Sequence, residues 1–88
     1  MPDVRTPDYI EFIALLRKAR RGRGLSQAAL GERLGKPQTF VSKVETCERS
    51  LDFIEAARWC VALGIRLEDA LPAGLKAALD HSAGRQGR

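Results

Sequence analysis

Residues 25–45 read LSQAALGERLGKPQTFVSKVE, and the rest of the chain is placed by working outward from them. Ser26 is of the type that caps a helix start, its hydroxyl accepting from an amide two or three residues on. Leu30 and Leu34 are four apart and share a helix face. Gly35 suits the left-handed position just past a helix end. Pro37 then opens a new helix, where its missing N–H costs nothing. That helix runs from about Gln38 to Glu45, with Val41 and Val44 three apart on its inner side. Only about three residues join the two helices, too few to leave their relative angle free. Gly31 lets the two approach closely.

The flanks are helical as well. Upstream, Thr6 is an N-cap candidate, Pro7 takes the first helical position and Asp8 follows where the helix dipole favours an anion. Tyr9, Phe12, Ile13 and Leu16 recur at three- and four-residue spacing, giving an inward face. Cations from Arg17 to Arg21 load the far end before Gly22 and Gly24 stop it. Downstream, Asp52 and Glu55 form a capping-box variant. The helix they open carries Phe53, Ile54, Ala57, Cys60, Val61 and Leu63 and stops at Gly64; Trp59 and Phe53 on it read as core. A short fifth element covers about residues 67–71. Pro72 either ends it or starts another turn. Leu71, Leu75 and Leu79 then lie four apart, a stripe that in a monomer folds back on the core, whereas in a dimer either it or the region of the fourth and fifth elements packs on a partner. No strand-type alternation and no hairpin turn appears. The organisation expected is a flexible N-terminus 1–5, a domain 6–72, a short helical extension 73–81 and a flexible tail 82–88.

Eighty-eight residues make one domain, without room for a separate substrate chamber. Hydrophobic residues at 44% and charged residues at 30% argue for a folded globule rather than a disordered chain. No apolar run approaches about 18 residues, so no membrane partner is expected. The start MPDVRTPDYI lacks the basic, apolar and small-residue segments of a secretion signal, which points to the cytoplasm. Two cysteines, Cys47 and Cys60, make no disulfide framework. With His81 as the one histidine, they supply no metal site and no catalytic set, so neither a cofactor nor an enzyme is expected. The net charge of +4 is unevenly spread: between Arg17 and Arg49 nine basic residues face three acids. A middle third this basic suggests a polyanion. The outer face of the 38–45 helix fits that suggestion, since Gln38, Thr39, Ser42 and Lys43 can exchange hydrogen bonds with base edges or phosphates.

The stretch LRKARRGRGLSQAALGERLGKPQTFVSKVETCERSLDFIEAARWCVALGI resembles the Cro and phage-repressor type of helix-turn-helix domain, the family also named after the xenobiotic response element. The resemblance covers about residues 16–71. It is carried by Leu16-Arg17 and Arg20, by Leu25-Ser26-Gln27, by Gly31 in place of a small alanine and by Leu34-Gly35. It continues in Val41-Ser42-Lys43-Val44-Glu45 and in Ala62-Leu63-Gly64-Ile65. It implies an all-α, compact five-helix, lambda-repressor-like domain, here with a short C-terminal helical extension. The 38–45 helix would enter the major groove of double-stranded DNA.

By that resemblance Gln38, Thr39, Ser42 and Lys43 are the base-contacting residues. Gln27 touches a phosphate and braces Gln38, and Arg20, Arg23 and Arg49 are phosphate contacts that set register. Phe40 stands with this group either as a backbone-groove contact or as a ring packed over the helix edge. The family binds pseudo-palindromic sites as two-fold dimers, so a homodimer and a DNA operator are the expected partners. The role implied is a transcriptional regulator, an autorepressor or a controller protein of a restriction–modification operon, or an activator if a surface touches RNA polymerase. The rival is a protein-interaction or antitoxin-type module on the same fold. Two departures stand out. Cys47 occupies a position that is often glycine, which implies strain there or a slightly longer preceding helix. Pro37 replaces a frequent Ser or Thr cap.

Overall fold

The computed structural model describes residues 6–86, with side chains through His81. Residues 1–5 and 87–88, which belong to the expected flexible ends, lie outside the described residues. The element order is α1 (Pro7–Gly22), α2 (Gln27–Leu34), α3 (Gln38–Glu45), α4 (Phe53–Leu63), a 3₁₀ turn (Leu67–Ala70) and α5 (Ala73–Gln86). The described chain is all-helical.

The capping residues act where their chemistry allows. Thr6 Oγ1 accepts from the Tyr9 amide at 3.2 Å, and Ser26 Oγ from the Ala29 amide at 3.0 Å. Asp52 and Glu55 close a reciprocal box, at 2.7 Å and 3.0 Å. Gly35 and Gly64, both at φ 69°, end α2 and α4 in the left-handed conformation that glycine adopts without a steric penalty. Pro37 sits at the N-cap of α3 and provides no side-chain cap.

The core gathers one stripe from each of α1 to α4. Ile13 and Leu16 come from α1, Leu30 from α2, Val41 and Val44 from α3, and Trp59, Cys60 and Leu63 from α4. Leu51 and Ala70 fill the ends, while Tyr9, Phe12 and Leu34 pack around them. Burying each large apolar side chain stabilises the fold by roughly 1.5–3 kcal/mol. At Gly31 a Cβ would stand 2.6 Å from the Lys36 carbonyl oxygen, so the α2–α3 approach leaves that position no side chain.

Three expectations need correction. Phe53 is 69% exposed rather than core, because the buried stripe of α4 runs Ala56, Trp59, Cys60 and Leu63 and leaves Phe53 beyond its edge. The Leu71–Leu75–Leu79 stripe is broken. Leu71 caps the 3₁₀ turn with extended backbone, and α5 starts afresh when the Pro72 carbonyl accepts from the Lys76 amide at 2.9 Å. Only Leu75 and Leu79 share a helix. That helix continues through Gln86, past the expected boundary at residue 81; the short fifth element expected at about residues 67–71 is present as the 3₁₀ turn Leu67–Ala70.

Candidate nucleic-acid interface

The face of α3 turned to solvent carries Gln38, Thr39 and Lys43, all exposed, with Ser42 half-buried beside them. Behind that face lies a directed chain of hydrogen bonds. Arg20 is buried, and its Nε and Nη2 donate to the two carboxylate oxygens of Glu45 at 2.6 and 3.0 Å, while Nη1 donates to the Leu25 carbonyl at 2.6 Å. Gln27 Nε2 donates to Glu45 Oε1 at 2.9 Å. Gln38 Nε2 then donates to Gln27 Oε1 at 2.6 Å.

The direction of this chain has a chemical consequence. A carboxylate held by a guanidinium only accepts, so Gln27 must offer it the amide nitrogen and turn its own oxygen to Gln38. Gln38 therefore spends one N–H inward and presents the other N–H together with Oε1. One donor beside one acceptor is the pattern that matches the N7 and N6 edge of adenine. The expected brace between Gln27 and Gln38 is present, and Glu45 stands behind it. Sequence reasoning had Glu45 only as the last residue of a helix signature.

Arg20 is thereby reassigned. Expected at a phosphate, it is buried with all three guanidinium nitrogens engaged inside the protein, so it holds α1 to α3 instead. Removing one partner of such a pair leaves a buried charge unmatched. Arg17, exposed, adds a weaker approach to Glu45 at 3.8 Å.

Arg23 and Arg49, also expected at phosphates, each have a partner within the protein. Arg23 Nη2 donates to the Gly64 carbonyl at 2.9 Å, tying the α1–α2 loop to the end of α4. Arg49 pairs bidentately with Glu55 at 3.1 and 2.8 Å and also donates to the Ser50 carbonyl. The hydrogen bond from Arg49 is the main cause that holds the Glu55 carboxyl below its usual pKa, and the same bond raises that of Arg49. Of the two readings of Phe40, packing describes its ring: it lies 6.4 Å from the Trp59 ring, with Arg49 4.9 Å and the Lys36 ammonium 5.5 Å from its centroid. Lys36, which the sequence had not singled out, shares that ring. A lysine four residues before an aromatic, at the mouth of a helix, was the signal for it.

The loop that follows α3 closes tightly. The Cys47 amide donates to the Val44 carbonyl at 3.0 Å and the Glu48 amide to the Lys43 carbonyl at 2.8 Å, the double closure that needs a left-handed residue between. Cys47 takes that residue's place at φ 62°. The strain expected at this position is therefore present, and α3 does not run further. Cys60 is an ordinary core thiol, its pKa raised by burial.

A helix-turn-helix family model matches residues 16–69. No curated protein matches the chain in sequence. Among solved structures, the restriction-modification controller protein C.AhdI from Aeromonas hydrophila is similar at 27% identity and a TM-score of 0.68, over 75% of this chain and all of that one. The hypothetical transcription factor NHTF from Neisseria is similar at 25% identity and a TM-score of 0.69, over 90% of this chain and 91% of that one. With the family match spanning α2, the turn and α3 and regulators as its structural neighbours, the chain belongs to the helix-turn-helix family of DNA-binding transcription regulators.

Proposed function

We propose that the protein is a sequence-specific regulator that binds a pseudo-palindromic operator as a homodimer and represses its own promoter, in the manner of a controller protein. α3 enters the major groove. Gln38 reads adenine through its remaining N–H and Oε1, the Thr39 methyl contacts a thymine methyl, and Ser42 and Lys43 reach neighbouring base edges. Gln27, Arg23 and Arg49 meet phosphates and set register, Arg23 with its remaining donors, while Phe40 holds Arg49 and Lys36 at the edge of α3. One such domain reads only a few base pairs. Two half-sites about 34–36 Å apart give the specificity that one lacks.

The observation that carries this reading is the exposed polar face of α3, with its first glutamine oriented from behind by Gln27 and Glu45. Selection of random duplexes followed by sequencing, at two salt concentrations, tests it. An enriched inverted repeat with half-sites one helical turn apart supports it. Binding that fades with salt and enriches nothing sinks it in favour of a protein-interaction module.

A further inference from the structure

Arg49 is held from two elements at once. Its amide donates to the Lys43 carbonyl at 3.2 Å, so its backbone follows the end of α3. Its guanidinium is gripped from α4 instead: Nη1 and Nη2 donate to Oε1 and Oε2 of Glu55 at 3.1 and 2.8 Å. Nη1 gives its other hydrogen to the Ser50 carbonyl. One face of the group lies over the Phe40 ring, 4.9 Å from its centroid. Glu55 is itself fixed. It is the third residue of α4, and its Oε1 also accepts from the Asp52 amide at 3.0 Å in the capping box.

The grip decides which donors stay open. A guanidinium carries five N–H groups in a planar fork. Glu55 takes the end of the fork, between Nη1 and Nη2, and Ser50 takes the outer N–H of Nη1. What remains is one side, Nε–H and the outer N–H of Nη2, two parallel donors that make no hydrogen bond among the described residues. Two parallel N–H groups match two oxygens of one phosphate. The Arg49 side chain is 40% exposed despite its contacts. Arg20 is the counter-example within the same protein, since it spends that very edge, Nε and Nη2, on Glu45 and is buried.

We infer that Glu55 is a positioning residue for phosphate binding. By holding the end of the Arg49 guanidinium it turns the Nε–Nη2 edge outward, where that edge takes both non-bridging oxygens of one backbone phosphate, and Glu55 itself touches no nucleic acid. This rests on the reading of Arg49 as a phosphate contact. A carboxylate near a phosphate repels it. Glu55 therefore opposes binding on its own and favours it through Arg49, and the sign of its effect tells the two apart.

Affinity for a mixed-sequence duplex of about 20 base pairs, followed by fluorescence anisotropy over a series of salt concentrations, is the test, since phosphate contacts are felt on any sequence. Thermal unfolding by circular dichroism verifies each variant's fold. Glu55→Gln keeps an oxygen for the Asp52 amide but loses the two-point grip. It is expected to bind about two- to tenfold more weakly at an unchanged salt slope, because Arg49 still neutralises its phosphate but must be ordered on binding. Glu55→Asp, one methylene shorter with the charge kept, weakens binding likewise. In an Arg49→Ala background Glu55→Gln strengthens binding or leaves it alone, since only the repulsion is removed. Arg49→Lys keeps the slope and loses affinity, a point charge standing in for a fork. If Arg49→Ala changes neither affinity nor slope, the phosphate reading falls and the positioning role with it. If Arg49→Ala weakens binding and flattens the slope by about one unit, while Glu55→Gln binds as well as wild type or better, the positioning role alone is overturned. Equal weakening by Glu55→Gln with and without Arg49 overturns it too, because the effect then does not run through Arg49.

Discussion

The α2–turn–α3 unit and the α4–α5 end are built on opposite terms. Around α3 the polar groups behind the exposed face are matched: Arg20 with Glu45, Glu45 with Gln27, Gln27 with Gln38. What stays open there is a short polar face. At the other end apolar side chains stand in water, and Arg58 and Asp80 lie on separate helices with no partner among the described residues. The first surface is finished except for a hydrogen-bonding ligand; the second is unfinished as a protein surface. Polar contacts are what read bases, so the first surface is the one that suits a nucleic acid.

The contrast is broken hardest by unmatching the finished side. Glu45→Ala leaves Arg20 buried without its carboxylate and is expected to cost about 3–5 kcal/mol in denaturant unfolding. Trp59→Ala, which hollows the core, costs about 3–5 kcal/mol as well. Phe53→Ala stays within about 0.5 kcal/mol. A large loss at Phe53 would mean that the α4 edge is already part of the core.

Next comes reading. Gln38→Ala is expected to lose about 1–3 kcal/mol of discrimination at one base pair per half-site, seen as relaxed preference in binding to single-base operator variants. Equal loss on every duplex would make Gln38 a positioning group only. Arg49→Ala weakens all sequences alike and flattens the salt slope by about one unit for each phosphate that is no longer neutralised. Arg20→Ala, by contrast, lowers stability without that salt signature, which separates a strut from a phosphate ligand.

Smaller effects sharpen the boundary between the two ends. Cys47→Gly relieves a left-handed residue that carries a side chain and is expected to stabilise by about 0.5–1 kcal/mol, a rise of a few degrees in Tm. The Arg49–Glu55 pair sets the smallest. Glu55 titrates below its usual value in the folded protein, so its contribution is present above the unfolded pKa and is lost as pH falls through the lowered one. Glu55→Gln should remove a shallow acid-side slope from the stability profile.

The parts of this molecule that follow local rules were legible in the sequence. Ser26, Gly35, Asp52 and Gly64 mark helix ends by chemistry that acts over three or four residues, and each sits where expected. The polar face of α3 was legible from its residue spacing, and the Gln27–Gln38 brace through the resemblance. What escaped needed distance. Arg20 and Glu45 are 25 residues apart, and nothing in either neighbourhood says that one arginine of a basic run turns inward while Arg17 and Arg21 stay exposed. Phe53 misled because an aromatic on an apolar helix reads as core until the helix is rotated against its neighbours. The leucine stripe misled because its four-residue spacing was counted across Pro72, where the helical phase restarts.

The chain of hydrogen bonds from Arg20 to Gln38 also bears on how this protein can diverge. The side of its amide that Gln38 turns outward is inherited from Gln27 and, through it, from a carboxylate that is almost wholly buried. A change at Gln27 that reversed its amide would exchange donor for acceptor at the surface without altering any residue of the exposed α3 face. Libraries built to retarget such a protein, and searches for the mutations that separate one lineage's operator from another's, should therefore include Gln27 beside the exposed residues of α3. A new preference can begin there before the reading residues themselves change.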